Sequence, residues 1–479
     1  MNLRQILKIN IFTKDNIRYL VYVFLGLQML SIIASIFPLL SYIIFILLIF
    51  VTIVVSWQKL EYGFLILVFE FLAGHGGHLF EFMGVSIRSA IFITIMVIWF
   101  LKKIQAKDFS LNSFLKSPVL LGYVLFLFFI FCGFLNGLFA GHGVLAFKDL
   151  INYSFFLLLL PLLDLVKKEG FLKRLFIVVT AGIIGIAIET FFVFLLFAFG
   201  FARVHDVFYW WWRDTAIGKA TFTKDNFFRI VTPVHLFVLP VFITYISLFF
   251  SKFKNKFKKK KSVIILGLLS SFCLLLNFSR AYFLGILFGV IALKKNIKFK
   301  KWLGGSILIF LVMILQFSLL FGIASGGDLL GGSGFLGKRI QTLTKPQDEL
   351  SSLTRLVILP DLLSNIYQSP MFGTGLGAKV GYPDPLSGEY KHTFHIDWGY
   401  LEIWLELGFL GLIVYFSLLI MIFFKGLEKA KKAVDPFKKR LFIGISAGLL
   451  ALFVASLGGP FLFHPLGILY IIISLALVL

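Results

Sequence analysis

Leu39-Leu40-Ser41-Tyr42-Ile43-Ile44-Phe45-Ile46-Leu47-Leu48-Ile49-Phe50-Val51-Thr52-Ile53-Val54-Val55-Ser56-Trp57 decides the fold. It holds no charged group, and Lys59 follows it. About 20 apolar residues in a helix match the hydrocarbon thickness of a bilayer. The same pattern recurs at Tyr19–Phe37, Leu60–Ala73, Ala90–Leu101, Val119–Phe139, Leu150–Val166, Leu175–Phe199 and Ile230–Phe250. It continues at Val263–Phe278, Tyr282–Leu293, Trp302–Ile323, Tyr400–Phe424, Leu441–Leu457 and Leu466–Leu479. The chain therefore reads as an all-α polytopic membrane protein, one integral membrane domain over residues 1–479 with about 12–14 transmembrane helices. Hydrophobic residues make up 59% of the chain and charged ones 14%, with a mean hydropathy of +0.97. A soluble domain of this size needs more polar surface than that. The 61 phenylalanines read as lipid-facing and packing bulk.

Charge gives the orientation. The N-terminal arm, Lys59 and every second linker together carry 32 of the 46 lysines and arginines, against seven acids. Those linkers include Lys102 to Lys116, Lys167 to Arg174, Lys252 to Lys261, Lys294 to Lys301 and Lys425 to Arg440. Basic loops stay on the cytoplasmic side. Both termini are accordingly expected in the cytoplasm. The net charge of +23 is a topology signal and not a nucleic-acid surface, because the lysines are distributed by side. The Lys252–Lys261 run also suits anionic membrane lipids. No cleavable leader is read at the start, and Cys132 and Cys273 sit in apolar runs as packing residues. No P-loop or dinucleotide fingerprint is present, so a nucleotide is not the expected energy source.

All eight histidines fall on or near the outer side, which points to chemistry there. The largest non-membrane stretch, 324–399, is expected to be an outer (periplasmic or extracellular) loop. It opens on a glycine-rich piece, Gly326 to Gly337. Ser351 to Gln368 reads as an amphipathic helix along the membrane surface, kinked or interrupted by Pro360. Gly373, Gly375 and Gly377 then alternate in a turn, either a phosphate-binding nest or a tight turn. The loop ends on His392-Thr393-Phe394-His395-Ile396-Asp397-Trp398. A second outer loop, 200–229, carries Trp210, Trp211, Trp212 and Arg213, with the tryptophans read as an interfacial belt. Glu70 and Glu189 are acids within spans, and no partner for either is evident from sequence. His392-x-x-His395 lacks an evident third ligand nearby, which argues against a zinc pair, and no cofactor motif is read.

Residues from about 228 to 466 resemble the O-antigen ligase and O-antigen polymerase superfamily. The matching pieces are Phe228-Arg229-Ile230 opening a span, Asn277-Phe278-Ser279-Arg280-Ala281 at an outer turn, Thr354-Arg355, Pro370 to Gly377, and Asp397 to Gly411 with Glu406-Leu407-Gly408. Ser86-Ile87-Arg88 adds a modest N-terminal match. The resemblance implies a GT-C-like membrane glycosyltransferase whose large outer loop caps the site. It implies transfer of a glycan from undecaprenyl pyrophosphate to a lipid- or glycan-linked acceptor hydroxyl, by a polymerase or a ligase, without metal.

Arg229, Arg280 and Arg355 match the family's arginines. Guanidinium groups would stabilise the charge that grows on a pyrophosphate leaving group. Arg88, His392, Gly375 and Gly377 are further candidates. At the base position of the family this sequence has Asp397, with Trp398 after it and His395 two residues before. Either His395 or Asp397 could accept the hydroxyl proton. Glu406 recurs in the family pattern and reads as structural. A transporter or flippase for lipid-linked sugars is the competing class, although no internal repeat is seen.

Lys258 is expected to face the cytoplasm and Gly388 the outside. In a background without Cys132 and Cys273, an impermeant thiol reagent on intact cells should label Gly388→Cys and spare Lys258→Cys. The opposite pattern would remove the outer site.

Overall fold

The structure, a computed structural model, describes residues 16–107, 117–203, 206–251, 256–295, 297–329, 331–332, 334, 350–394 and 396–479. The N-terminal arm, much of the Lys252–Lys261 run, most of 330–349, His205 and His395 lie outside the described residues.

In chain order the elements are α1 (Ile17–Ile36), α2 (Pro38–Gln58), α3 (Leu60–Ala73), β1 (Glu81–Phe82), β2 (Val85–Ser86), α4 (Ile87–Ala106), α5 (Pro118–Phe139) and α6 (Val144–Leu165). Then come α7 (Phe171–Ala198), β3 (Lys219–Lys224), β4 (Phe227–Val231), α8 (His235–Phe249), α9 (Lys256–Asn277), α10 (Arg280–Ala292) and α11 (Phe299–Ser325). The rest are α12 (Leu350–Gln368), β5 (Val380–Pro383), β6 (Tyr390–Thr393), α13 (Gly399–Lys432), α14 (Pro436–Ala455) and α15 (Pro465–Val478). Proline opens α2, α5, α14 and α15, where its missing N–H would have no helical acceptor anyway. Asp435 caps α14 by accepting from the Phe437 N–H at 3.0 Å.

The chain is an all-α polytopic membrane protein. Among the described residues nine helices are long and apolar enough to cross a membrane: α1, α2, α5, α6, α7, α9, α11, α13 and α14. The other apolar runs fall on α3, α4, α8, α10 and α15, which are shorter or carry charge. The strands form three antiparallel hairpins. One of them corrects the sequence reading. Phe228-Arg229-Ile230 does not open a span but pairs as β4 against β3, and the helix begins only at His235. Pro233 forces its predecessor into extended backbone, which separates strand from helix. Pro360 does not interrupt α12, which runs through it as one helix. A proline removes one backbone hydrogen bond, and the rest of this helix keeps it continuous.

The chain forms two compact units. The first comprises residues 1–109, 158–279 and 307–327. There α7 packs against α1, α3 and α9. Its interior gives the span acids their partners. Glu70 accepts from Arg88 Nε at 2.8 Å, and Arg88 also donates to the His75 carbonyl at 2.9 Å. Glu189 pairs with His75 Nε2 at 2.9 Å. His235 lies buried between Asn277 Nδ2, 3.1 Å from its Nδ1, and Thr190 Oγ1, 3.0 Å from its Nε2. His75 and His235 are thus interior. So are two of the three tryptophans assigned to a belt. Trp211 and Trp212 are buried, the former donating to Ser31 at 3.0 Å, and only Trp210 is exposed.

The second unit comprises residues 110–157, 280–306 and 328–479. In it α13 packs against α5, α14 and α15, and α10 packs against α14. Ile358, Leu362 and Ile366 on α12 share an apolar cluster with Val380, Ile396 and Leu405. That cluster fixes α12 over the start of α13.

Arg88→Leu should lower stability by about 3–5 kcal/mol, because it strands a buried carboxylate. Adding Glu70→Gln should recover much of the loss. Thermal unfolding in detergent checks this, and equal losses in the single and double variants would contradict the pairing.

Candidate functional site

The site region of the second unit is built on a break in α13. Gly408 has φ 71° and ψ 177°, a backbone conformation closed to side chains. A break in a buried helix frees backbone groups that need partners. The segment 370–374 supplies them. Phe409 N–H donates to the Pro370 carbonyl at 2.9 Å and Leu410 N–H to the Met371 carbonyl at 3.3 Å. In return Thr374 N–H donates to the Leu405 carbonyl at 2.7 Å.

The alternating glycines serve this seam. Gly373, Gly375 and Gly377 all have positive φ. A Cβ on Gly373 would lie 2.7 Å from the Glu406 carbonyl oxygen, and one on Gly375 would overlap the backbone of Gly137 on α5. The Gly373 and Gly377 amides are committed as well. Gly373 N–H donates to Ser369 O (2.9 Å), Leu376 N–H to Gly133 O (2.9 Å) and Gly377 N–H to Asp149 Oδ2 (2.8 Å). Of the two readings, nest and tight turn, the tight turn is the one seen: the Gly373, Leu376 and Gly377 N–H groups point at protein acceptors. Asn136 Nδ2 and His142 Nδ1 complete the wedge on the Gly373 and Leu376 carbonyls, at 2.6 and 2.8 Å.

Beneath the seam lies a carboxyl cluster. Tyr153 OH donates to Glu406 Oε2 at 2.7 Å, and Asp149 hydrogen-bonds the same Glu406 side chain. Glu402 is close by, with a buried Oε2 that has no partner among the described residues. Sequence reasoning missed Asp149 and Tyr153. The available signal was their i, i+4 spacing, which puts both polar groups on one face of an otherwise apolar helix.

The loop connecting α14 and α15 gathers the other candidates. Arg355 on α12 donates to the Gly458 carbonyl at 3.1 Å and meets Asp397 Oδ2 at 3.4 Å. Trp398 Nε1 donates to the Arg355 carbonyl at 3.0 Å, which pins that turn of helix. Arg355 Nε is buried and has no partner among the described residues. Arg280 is the first residue of α10 and half-buried. Its neighbour Ala281 lies beside Gly458, 3.0 Å from where a Cβ on that glycine would stand. Gly399, two residues after Asp397, packs on the Ser456 and Gly459 carbonyls. Gly458 is thus the point where the segments bearing Arg280, Arg355 and Asp397 meet.

The remaining candidates lie elsewhere. Arg229 belongs to the first unit, where its Nε donates to the Asn277 carbonyl at 3.2 Å. That carbonyl closes α9, where the helix dipole favours a cation. Arg88 is 2% exposed and paired with Glu70, so it is not available to a ligand. The desolvation cost of an unpaired guanidinium explains why the pair forms. His392 lies on exposed β6, its ring 5.5 Å from that of Tyr390. At the tip of this hairpin, hydrogen bonds from Lys391 and from the Leu386 N–H hold the Asp384 carboxyl below its ordinary pKa.

Residues 265–416 match the family model described as O-antigen ligase. The match covers the seam, α12, Arg280, Arg355 and Asp397, and with the helical architecture it supports a membrane protein of the O-antigen ligase and polymerase superfamily. That family implies a glycan-transferring enzyme acting on lipid-linked glycans. No curated protein matches the chain.

Gly375→Ala and Gly408→Ala should each cost at least about 1–3 kcal/mol from backbone strain alone, with the overlap added to it. Gly141→Ala, at φ 81° but in open space, should cost less. Melting temperatures in detergent decide it, and equal losses at all three positions would contradict the seam.

Proposed function

We propose that this protein moves an undecaprenyl-pyrophosphate-linked oligo- or polysaccharide onto an acceptor hydroxyl at the outer face of the bacterial inner membrane, as a surface polysaccharide polymerase or an O-antigen ligase. The lysine distribution supports a cytoplasmic location for both termini. The observation that carries the reading is the gathering of Arg355, Asp397 and the start of α10 around Gly458. The family match over the same residues supports it.

In the proposed reaction the acceptor oxygen attacks the anomeric carbon. The bond from that carbon to pyrophosphate breaks, and its electron pair leaves with the lipid pyrophosphate. Arg355 and Arg280 bind the phosphates and neutralise the charge that grows on them. The first turn of α10 adds N–H groups that favour an anion. No metal is assigned a role, since the guanidinium groups supply the positive charge. Arg229 is proposed as a phosphate ligand on the family resemblance alone. The acceptor proton goes to His395, with Asp397 as the positioning carboxylate. The outer loop 324–399 caps the donor.

Arg280→Ala and Arg355→Ala should abolish transfer by purified protein that still elutes as a folded species, and lysine at either position should rescue poorly. Full activity in both alanine variants would put the pyrophosphate site elsewhere. His395→Ala should lose about 10²–10⁴-fold and flatten the pH profile, with a smaller loss for Asp397→Asn. A dead Asp397→Asn beside an active His395→Ala would reverse the two roles.

A further inference from the structure

A cavity of about 480 Å³ opens in the first unit, lined by the ends of α2, α4 and α6 and the start of α3. It lies among the lysine-rich segments, and the proposed transfer makes no use of it. Four lysines line it: Lys59, Lys102, Lys103 and Lys168. Its two acids are already committed. Asp164 pairs with Lys103 at 3.1 Å and accepts from Trp99 Nε1 at 2.9 Å. Glu61 pairs with Arg174 at 2.8 Å. Lys102 donates to the Ser56 carbonyl at 3.0 Å, a neutral partner, and it lies close enough to Lys168 for the two to repel. Lys59 rests over the Tyr62 ring. Among the described residues three ammonium groups thus share one cavity without a carboxylate of their own, a costly arrangement unless an anion joins them.

The surroundings say which anion. Next to the cavity α2 and α4 present Trp57, Phe100, Leu101 and Ile104 outward, all exposed. That apolar flank suits acyl chains and serves no purpose for a free ion. A basic pocket between membrane helices with such a flank has the chemistry of a lipid headgroup site. The volume is in the range of small-molecule pockets and leaves room for a phosphodiester with a polar head.

We propose that this cavity binds the phosphate headgroup of an anionic phospholipid, with Lys59, Lys102 and Lys168 as its cationic contacts and the Trp57–Ile104 flank receiving the chains. The bound lipid neutralises the lysine cluster and ties together the ends of α2, α4 and α6.

Native mass spectrometry of the purified full chain, titrated with phosphatidylglycerol or with phosphatidylcholine of the same chains, tests this. Each lysine at an anionic membrane surface contributes about fivefold. Phosphatidylglycerol should therefore bind more tightly than phosphatidylcholine. Lys168→Gln, an exposed position that leaves packing intact, should lose about fivefold, and Lys102→Gln with Lys168→Gln about 25-fold. Lys294→Gln with Lys295→Gln removes the same charge outside the cavity and should change nothing. Equal binding of the two lipids, or an equal loss in the control variant, would overturn the proposal. So would competition by inorganic phosphate at concentrations that displace the lipid completely, since the site would then be one for a soluble anion.

Discussion

In an apolar medium a broken helix must find protein partners for the backbone groups that the break sets free. The second unit is organised around one such break. Gly408 interrupts α13, and the 370–377 segment answers with three backbone hydrogen bonds across the gap. Only glycine fits where these backbones touch, so the seam dictates its own sequence on both sides. It sets the position of the segment that follows α12 and the direction in which α13 begins. Arg355 at one end and Asp397 at the other are carried to the same loop by that geometry. The site region is thus a consequence of how the membrane protein closes a gap in its own backbone.

Electrostatics follows a second constraint. A charge inside the helical assembly must have a partner, and the first unit meets that demand pair by pair. Glu70 has Arg88 and Glu189 has His75, while His235 is held between an amide and a hydroxyl. Arg355 differs. It is tied to a carbonyl and to a largely exposed carboxylate, and its Nε has no partner among the described residues. That contrast separates an arginine that stabilises the fold from one with capacity left for a phosphate.

The helices were legible in the sequence because apolar length is a strong one-dimensional signal, and every apolar run lies on a helix, apart from the start of the one at Ile230. The errors came where local pattern and tertiary demand differ. Gly373, Gly375 and Gly377 suit a phosphate nest and a close backbone approach equally well, and only the third dimension shows Gly137 and Glu406 against them. Arg88 looked like a ligand for the same reason, since its partner Glu70 is on another helix. Trp211 and Trp212 read as a belt because tryptophan is common at interfaces, yet a π-helical turn rotates them inward. The i, i+4 spacing of Asp149 and Tyr153 carries a signal, but its meaning depends on Glu406, more than two hundred residues away.

The central claim is that the chain catalyses glycan transfer and does not carry lipid-linked glycan across the bilayer. The direct measurement uses purified protein in vesicles with an undecaprenyl-pyrophosphate-linked oligosaccharide labelled in its sugar, an acceptor glycan and no nucleotide. The account predicts that label passes to the acceptor while free undecaprenyl pyrophosphate is released in equal amount. Labelled donor that crosses the membrane intact, with no release of the lipid pyrophosphate, would contradict it.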